Sequence, residues 1–171
     1  MSKLKIGVLG CASIAKRSVI PAIKQVSNFE LIAIASRTTT KANEFAQEFA
    51  CEAITGYQNL LNRHDIDAIY MPLPTGLHEE WVIKALKAGK HILIEKSLAM
   101  NYESAKKMVD LAQQKGLLIM ENFMFLYHKQ HQFVKNLIKK GAIGEVRCFR
   151  SSFGFPPLNN DNFRYNKNLG G

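Results

Sequence analysis

The sequence predicts an α/β protein built on a doubly wound parallel sheet, followed by the incomplete start of a second α/β domain. Three observations carry this reading. Short β-rich apolar runs alternate with longer amphipathic stretches along most of the chain. A glycine turn, Gly7-Val-Leu-Gly-Cys-Ala-Ser-Ile-Ala15, follows directly on the first apolar run. Beyond Asn122 the texture changes to one amphipathic stretch and then a run of alternating apolar and polar residues.

Taken in order, the apolar runs over 5–9, 30–35, 67–71, 91–94 and 117–120 read as strands buried on both faces. Between them, 41–49, 77–88 and 102–115 carry helical spacing of apolar residues. Gly89 and Gly116 fall just past two of these helices, where a left-handed C-cap is favoured, and Asn101 is placed to cap the helix that Tyr102 begins. Pro21 either kinks the helix after the glycine turn or marks its true first turn. Strand, helix and strand repeated this way imply right-handed crossovers, helices on both faces, and ligands at the carboxyl ends of the strands. A last helix is expected over 130–140 and a half-exposed strand over 144–153. The expected domains are therefore 1–121, a complete doubly wound unit, and 122–171, the unfinished start of a second.

Composition narrows the function. With 171 residues, 47% of them hydrophobic and 22% charged, the chain has the balance of a soluble globular protein with a real core. No stretch approaches the ~20 uninterrupted apolar residues of a membrane span, and the N-terminus leads into a strand instead of a signal sequence, so a cytoplasmic location is expected. Cys11, Cys51 and Cys148 have no metal or disulfide spacing and read as reduced thiols. The formal charge of +9 suits an anionic partner, but the pairs Lys106-Lys107 and Lys139-Lys140 lie in helical patterns, where they form a solvated face. No nucleic-acid motif accompanies them.

The strand ends hold the chemistry. In Gly10-Cys11-Ala12-Ser13-Ile14-Ala15 the chain turns from strand to helix, aiming backbone N–H groups and the helix dipole at an anion such as a pyrophosphate. Ala12 adds a methyl where the dinucleotide fingerprint has its second glycine, and Ala15 is small enough for close helix-to-strand packing. After the second strand stand Ser36, Arg37 and Thr38 instead of a carboxylate. Arg37 is suited to stack on adenine and to pair with a 2′-phosphate, which favours NADP(H) over NAD(H). Pro72, Leu73 and Pro74 end the next strand and form a rigid wall suited to lie along a nicotinamide, with Thr75 placed to cap the helix that carries His78 and Trp81. Glu95 and Lys96 emerge together from a buried strand, where a carboxylate and an amine are costly unless they pair or act. His128 and His131 lack a third metal ligand and read as polar residues at a helix start.

In this order, the glycine turn, Ala35-Ser-Arg37, Pro72-Leu-Pro-Thr-Gly-Leu-His78, Ala88-Gly-Lys-His91 and Glu95-Lys96 make the chain resemble the Gfo/Idh/MocA oxidoreductases over essentially its whole length. Glu121-Asn-Phe-Met-Phe-Leu-Tyr-His128, Asn162-Phe-Arg-Tyr165 and Leu169-Gly-Gly171 are most similar to the nucleotide-sugar 3-ketoreductases and their dihydrodiol dehydrogenase-like relatives. The resemblance implies a Rossmann cofactor domain, NADP(H), a nucleotide-sugar or other small polyol or carbonyl substrate, and a homo-oligomeric full-length form. It implies catalytic roles for Lys96 and Glu95, and it adds His78, Asn122 and Arg164 to the residues around the cofactor. Ser97 stands where the family has a proline preceded by a cis peptide; a cis bond costs roughly 2.5–4 kcal/mol before serine, against about 0.5–1 before proline. The family's Asp-x-Gly-x-Tyr segment, which carries its expected proton donor, does not occur in this sequence. Two alternatives stand beside sugar ketoreduction: a non-catalytic dinucleotide-binding remnant, and polyol or trans-dihydrodiol oxidation.

Overall fold

The structure, a computed structural model, describes residues 2–170. Its centre is a six-stranded sheet in the order β3-β2-β1-β4-β5-β6. The strands are β1 (Leu4–Leu9), β2 (Phe29–Ser36), β3 (Glu52–Thr55), β4 (Ala68–Met71), β5 (His91–Ile94) and β6 (Ile119–Glu121). Every neighbouring pair is parallel. Helices α1 (Ile20–Gln25), α2 (Thr39–Phe49), α3 (Tyr57–Leu61), α4 (His78–Lys87) and α5 (Tyr102–Gln114) connect them. The order reverses between β1 and β4, which makes the carboxyl ends of those strands the crevice where doubly wound sheets take their ligands.

Strand alternation builds a core on each face. On one side Ile6, Val8, Ile34 and Tyr70 pack with Ala15, Ile20, Ile23 and Phe49. On the other, Leu9, Ile69, Met71, Ile92 and Ile94 pack with Val82, Leu86 and Met108. Each such aliphatic side chain contributes roughly 1.5–3 kcal/mol by leaving water, and that burial holds the strand ends at fixed spacing.

The expected helices, and the expected strands up to Glu121, are present, with boundaries shifted by a residue or two. Gly89 and Gly116 take positive φ, 75° and 64°, as C-cap residues do. Asn101 caps α5 by accepting from the Ser104 N–H at 2.8 Å. After the glycine turn the chain makes a π-type turn over Ala15–Val19 that runs directly into α1, and Pro21 sits in the first turn of α1.

Three features depart from the sequence expectations. β3 and α3 were not expected: β3 is an edge strand with only Ile54 buried, so its apolar signal is one residue deep. Thr75 does not cap α4; it opens a 3-10 turn, Thr75–Leu77, and α4 has no side-chain cap. Residues 144–153 form no strand, because a ladder needs a partner and none of the described residues pairs with them.

The residues through Asn122, together with those from Phe163 on, form one compact unit, and Phe123–Asn162 forms a second. The second unit contains α6 (Lys129–Lys139), capped by His128, whose Nδ1 accepts from the Gln130 N–H at 3.2 Å. Phe125 packs edge-on against the Phe123 ring and the His131 ring.

Candidate cofactor and active site

The expected site residues gather along the carboxyl edge of the sheet in the order that the strands impose. Gly10 follows β1 with φ +125°, a conformation that L side chains rarely adopt, and its N–H donates to Ala35 O at 3.0 Å. A Cβ at Gly10 would lie 3.0 Å from Leu73 Cδ2, so the phosphate turn and the Pro72–Pro74 wall approach each other closely only because this residue is glycine. Cys11, Ala12 and Ile14 are partly exposed, Ser13 is exposed, and Ala15 is fully buried against the sheet. The first N–H groups of a helical segment have no acceptor within it, which is the donor set an anion needs. Burial pushes the Cys11 thiol above its ordinary range, while a hydrogen bond with Ser36 and the Lys41 ammonium pull it back.

At the end of β2, Ser36 is buried and its Oγ lies 3.4 Å from the Thr38 N–H, so it fixes the loop. Arg37 and Thr38 are exposed. Arg37 stands beside the Tyr57 hydroxyl; burial pushes that hydroxyl up, and the guanidinium pulls it down. Tyr57 in turn packs edge-on against Trp81, with ring centroids 5.1 Å apart. The cation therefore projects from a supported aromatic base next to β1, without a carboxylate at the strand end to repel a phosphate. This donor set fits a dinucleotide carrying a 2′-phosphate.

Beyond β1 lie β4 and β5. Leu73 is buried, and Pro72, Pro74 and Thr75 line the loop after β4. Gly76 in that loop is closed over by the chain from Phe163 on: a Cβ there would fall 2.2 Å from Asn168 O. Glu95 is buried, and its Oε1 accepts from Tyr70 Oη at 2.8 Å and from Asn122 Nδ2 at 2.7 Å. Lys96 is exposed, and the Lys96–Ser97 peptide is cis. His78 is fully buried, with Nε2 at 2.8 Å from Leu73 O and Nδ1 at 2.9 Å from Ser97 O. Asn122 therefore meets the site through Glu95 and His78 through backbone carbonyls, whereas Arg164 lies over the Phe163 ring at 4.6 Å.

Sequence reasoning missed Tyr70 and Glu121. Tyr70 carries a phenol in an otherwise aliphatic strand, and a buried hydroxyl needs a partner; that was the available signal. Glu121 accepts the Leu98 N–H at 2.7 Å and so holds the loop after Lys96. Among the described residues no cluster of His, Cys, Asp or Glu could hold a metal ion, and no helix is long and apolar enough to cross a membrane.

Comparison with known proteins agrees with the fold. Residues 4–123 match the family model GFO_IDH_MocA, described as an oxidoreductase family with an NAD-binding Rossmann fold. The chain is similar to a dTDP-3,4-didehydro-2,6-dideoxy-alpha-D-glucose 3-reductase of Saccharopolyspora spinosa, 50% identical over 98% of this chain and 51% of that protein. It is 36% identical to a D-xylose 1-dehydrogenase (NADP(+)) of Haloferax volcanii, over 98% of this chain and 52% of that protein. Among solved structures, KijD10, a 3-ketoreductase from Actinomadura kijaniata crystallised with NADP and TDP-benzene, superposes with a TM-score of 0.96 at 45% identity, covering 99% of this chain and 52% of that one. The chain thus spans about half the length of the curated relatives it matches. With the parallel sheet, the glycine turn after β1 and a family match over the whole cofactor unit, the chain belongs to the Gfo/Idh/MocA oxidoreductase family.

Proposed function

We propose that this chain is the NADP(H)-binding part of a ketoreductase that acts on a nucleotide-linked sugar. The observation that carries the reading is the strand order. It sets Arg37 at the end of β2 on one side of the Gly10–Ala15 turn, and the Pro72–Pro74 wall and Lys96 on the other. An adenosine 2′-phosphate would meet Arg37, the pyrophosphate the N–H groups after Gly10, and the nicotinamide the β4 and β5 loops. The similarity to KijD10 and to the dTDP-sugar 3-reductases supports the substrate class, and the Haloferax relative supports NADP as cofactor.

When bound, the reduced nicotinamide supplies a hydride to a carbonyl carbon. The chain's own residues bind and orient. Lys96 donates from its ammonium to the carbonyl oxygen and offsets the negative charge that develops there. Glu95, anchored by Tyr70 and Asn122, fixes the backbone from which Lys96 departs. Burial behind that side chain keeps water from competing for the same bonds.

Fluorescence titration of the chain with NADPH and NADH tests the reading. NADPH should bind more tightly, and Arg37→Ala should weaken NADPH by roughly ten- to a hundredfold, the loss of one charge-assisted bond, while leaving NADH nearly unchanged. Binding of neither cofactor, or a preference for NADH, overturns it.

A further inference from the structure

We infer that His78 is a positioning residue: one buried imidazole clamps the Pro72–Pro74 wall to the loop that carries Lys96, and so sets the gap in which the nicotinamide lies. The inference rests on the cofactor reading above. Its geometry stands on three contacts. Nε2 lies 2.8 Å from Leu73 O, in the loop after β4. Nδ1 lies 2.9 Å from Ser97 O and 3.2 Å from Leu98 O, in the loop after β5. A carbonyl oxygen can only accept, so the ring nitrogen that carries the hydrogen donates to its loop, and the other nitrogen packs against the carbonyl of the opposite loop.

Neither loop is held to the other by the sheet beyond Met71 and Ile94, where the β4–β5 ladder ends. The last backbone tie is Glu95 N–H to Met71 O at 3.1 Å. Past that point His78 spans the two segments from the first residue of α4. Its ring is fully buried, so no water replaces a lost contact, and the partner carbonyls become costly to leave unpaired. Leu98 is held a second time by Glu121, and the chain at Asn168–Gly170 packs against Thr75–Gly76. The distance between the two loops is what the imidazole decides. His78 thereby touches neither the cofactor nor the reacting atoms, and it acts on both through the backbone of Leu73 and Ser97.

The test compares wild-type chain with His78→Leu and His78→Gln, whose side-chain amide restores donors of similar reach. Amide hydrogen exchange of the free protein reads the clamp directly, and titrations with NADPH and with 2′,5′-ADP, which lacks the nicotinamide, read its consequence. In His78→Leu, exchange should rise together over 73–77 and 97–99 while β1 and β2 stay protected. NADPH affinity should fall roughly tenfold, the worth of a hydrogen bond, with 2′,5′-ADP affinity held. His78→Gln should recover part of both effects. Equal weakening of the two ligands, exchange rising across the whole sheet, or a glutamine variant no better than leucine would overturn the inference in favour of a packing role. If His78→Leu does not fold, His78→Asn, whose amide is too short to span both loops, takes its place, and unchanged exchange and NADPH affinity in it would overturn the inference equally. Should wild type bind neither ligand, the cofactor reading falls, and the exchange pattern alone still decides whether the clamp exists.

Discussion

Replacing Gly10 by alanine separates the role of this turn from the general cost of altering a glycine. At φ +125° an alanine takes on backbone strain of about 1–3 kcal/mol. Its Cβ would also lie 3.0 Å from Leu73 Cδ2, a contact that the leucine must relieve by moving a few tenths of an ångström, adding up to about 1 kcal/mol. The sum, roughly 1–4 kcal/mol, corresponds to a fall in thermal midpoint of about 2–16 °C for a chain of this size. Gly89→Ala is the control. Its φ of +75° is also left-handed, but a Cβ there meets nothing within 4 Å, so it should lose only the left-handed penalty of about 1–2 kcal/mol. Circular dichroism melts give the stabilities, and NADPH titration gives the function, which only Gly10→Ala should impair, because Leu73 belongs to the wall proposed to line the nicotinamide. A Gly10→Ala midpoint within about 1 °C of wild type, or a drop no larger than the control's, would refute the claim that close approach of the turn to Leu73 shapes this site.

Two further outcomes follow from local geometry. Asn101→Ala removes the acceptor of the Ser104 N–H at the start of α5 and should lower the unfolding free energy measured in urea by about 1 kcal/mol, whereas Asn101→Ser should retain most of it. At alkaline pH, burial, then the Glu95 charge, then the hydrogen bond to Glu95 hold the Tyr70 hydroxyl above its ordinary range, and burial pushes the Cys51 thiol up to about 11. In both cases the folded state keeps a proton that the unfolded chain gives up. Stability should therefore be full below about pH 9, and fall as pH rises through the cysteine window and then the tyrosine window near and above 10. Thermal midpoints measured from pH 7 to 11 should fall in that range and flatten in Cys51→Ala and Tyr70→Phe; a midpoint independent of pH would contradict the assignment.

Much of the fold was legible because parallel strands buried on both faces leave continuous apolar runs. β1, β2, β4 and β5 are of this kind, and each was located within about two residues, the usual uncertainty of a boundary. β3 escaped because an edge strand needs only one buried side chain, here Ile54, and α3 because a helix over Tyr57–Leu61 is too short to display a period. The alternating run over 144–153 misled in the opposite direction: alternation is a property of sequence, but a strand exists only with a hydrogen-bonded neighbour.

The sequence by itself determined which chemical groups stand at the strand ends: the glycine turn, the arginine in place of an acid, the proline wall and the Glu95–Lys96 pair. Those follow from residue identity at punctuation points, where backbone constraint and charge cost are local. Only the tertiary structure decided what holds them. Tyr70, Asn122 and Glu95 meet across β4, β5 and β6, and His78 reaches from α4 to two loops at once. Such contacts join residues up to 27 positions apart through a register that the whole sheet must first establish. No local pattern encodes that register, because it arises from burying both faces of the sheet together.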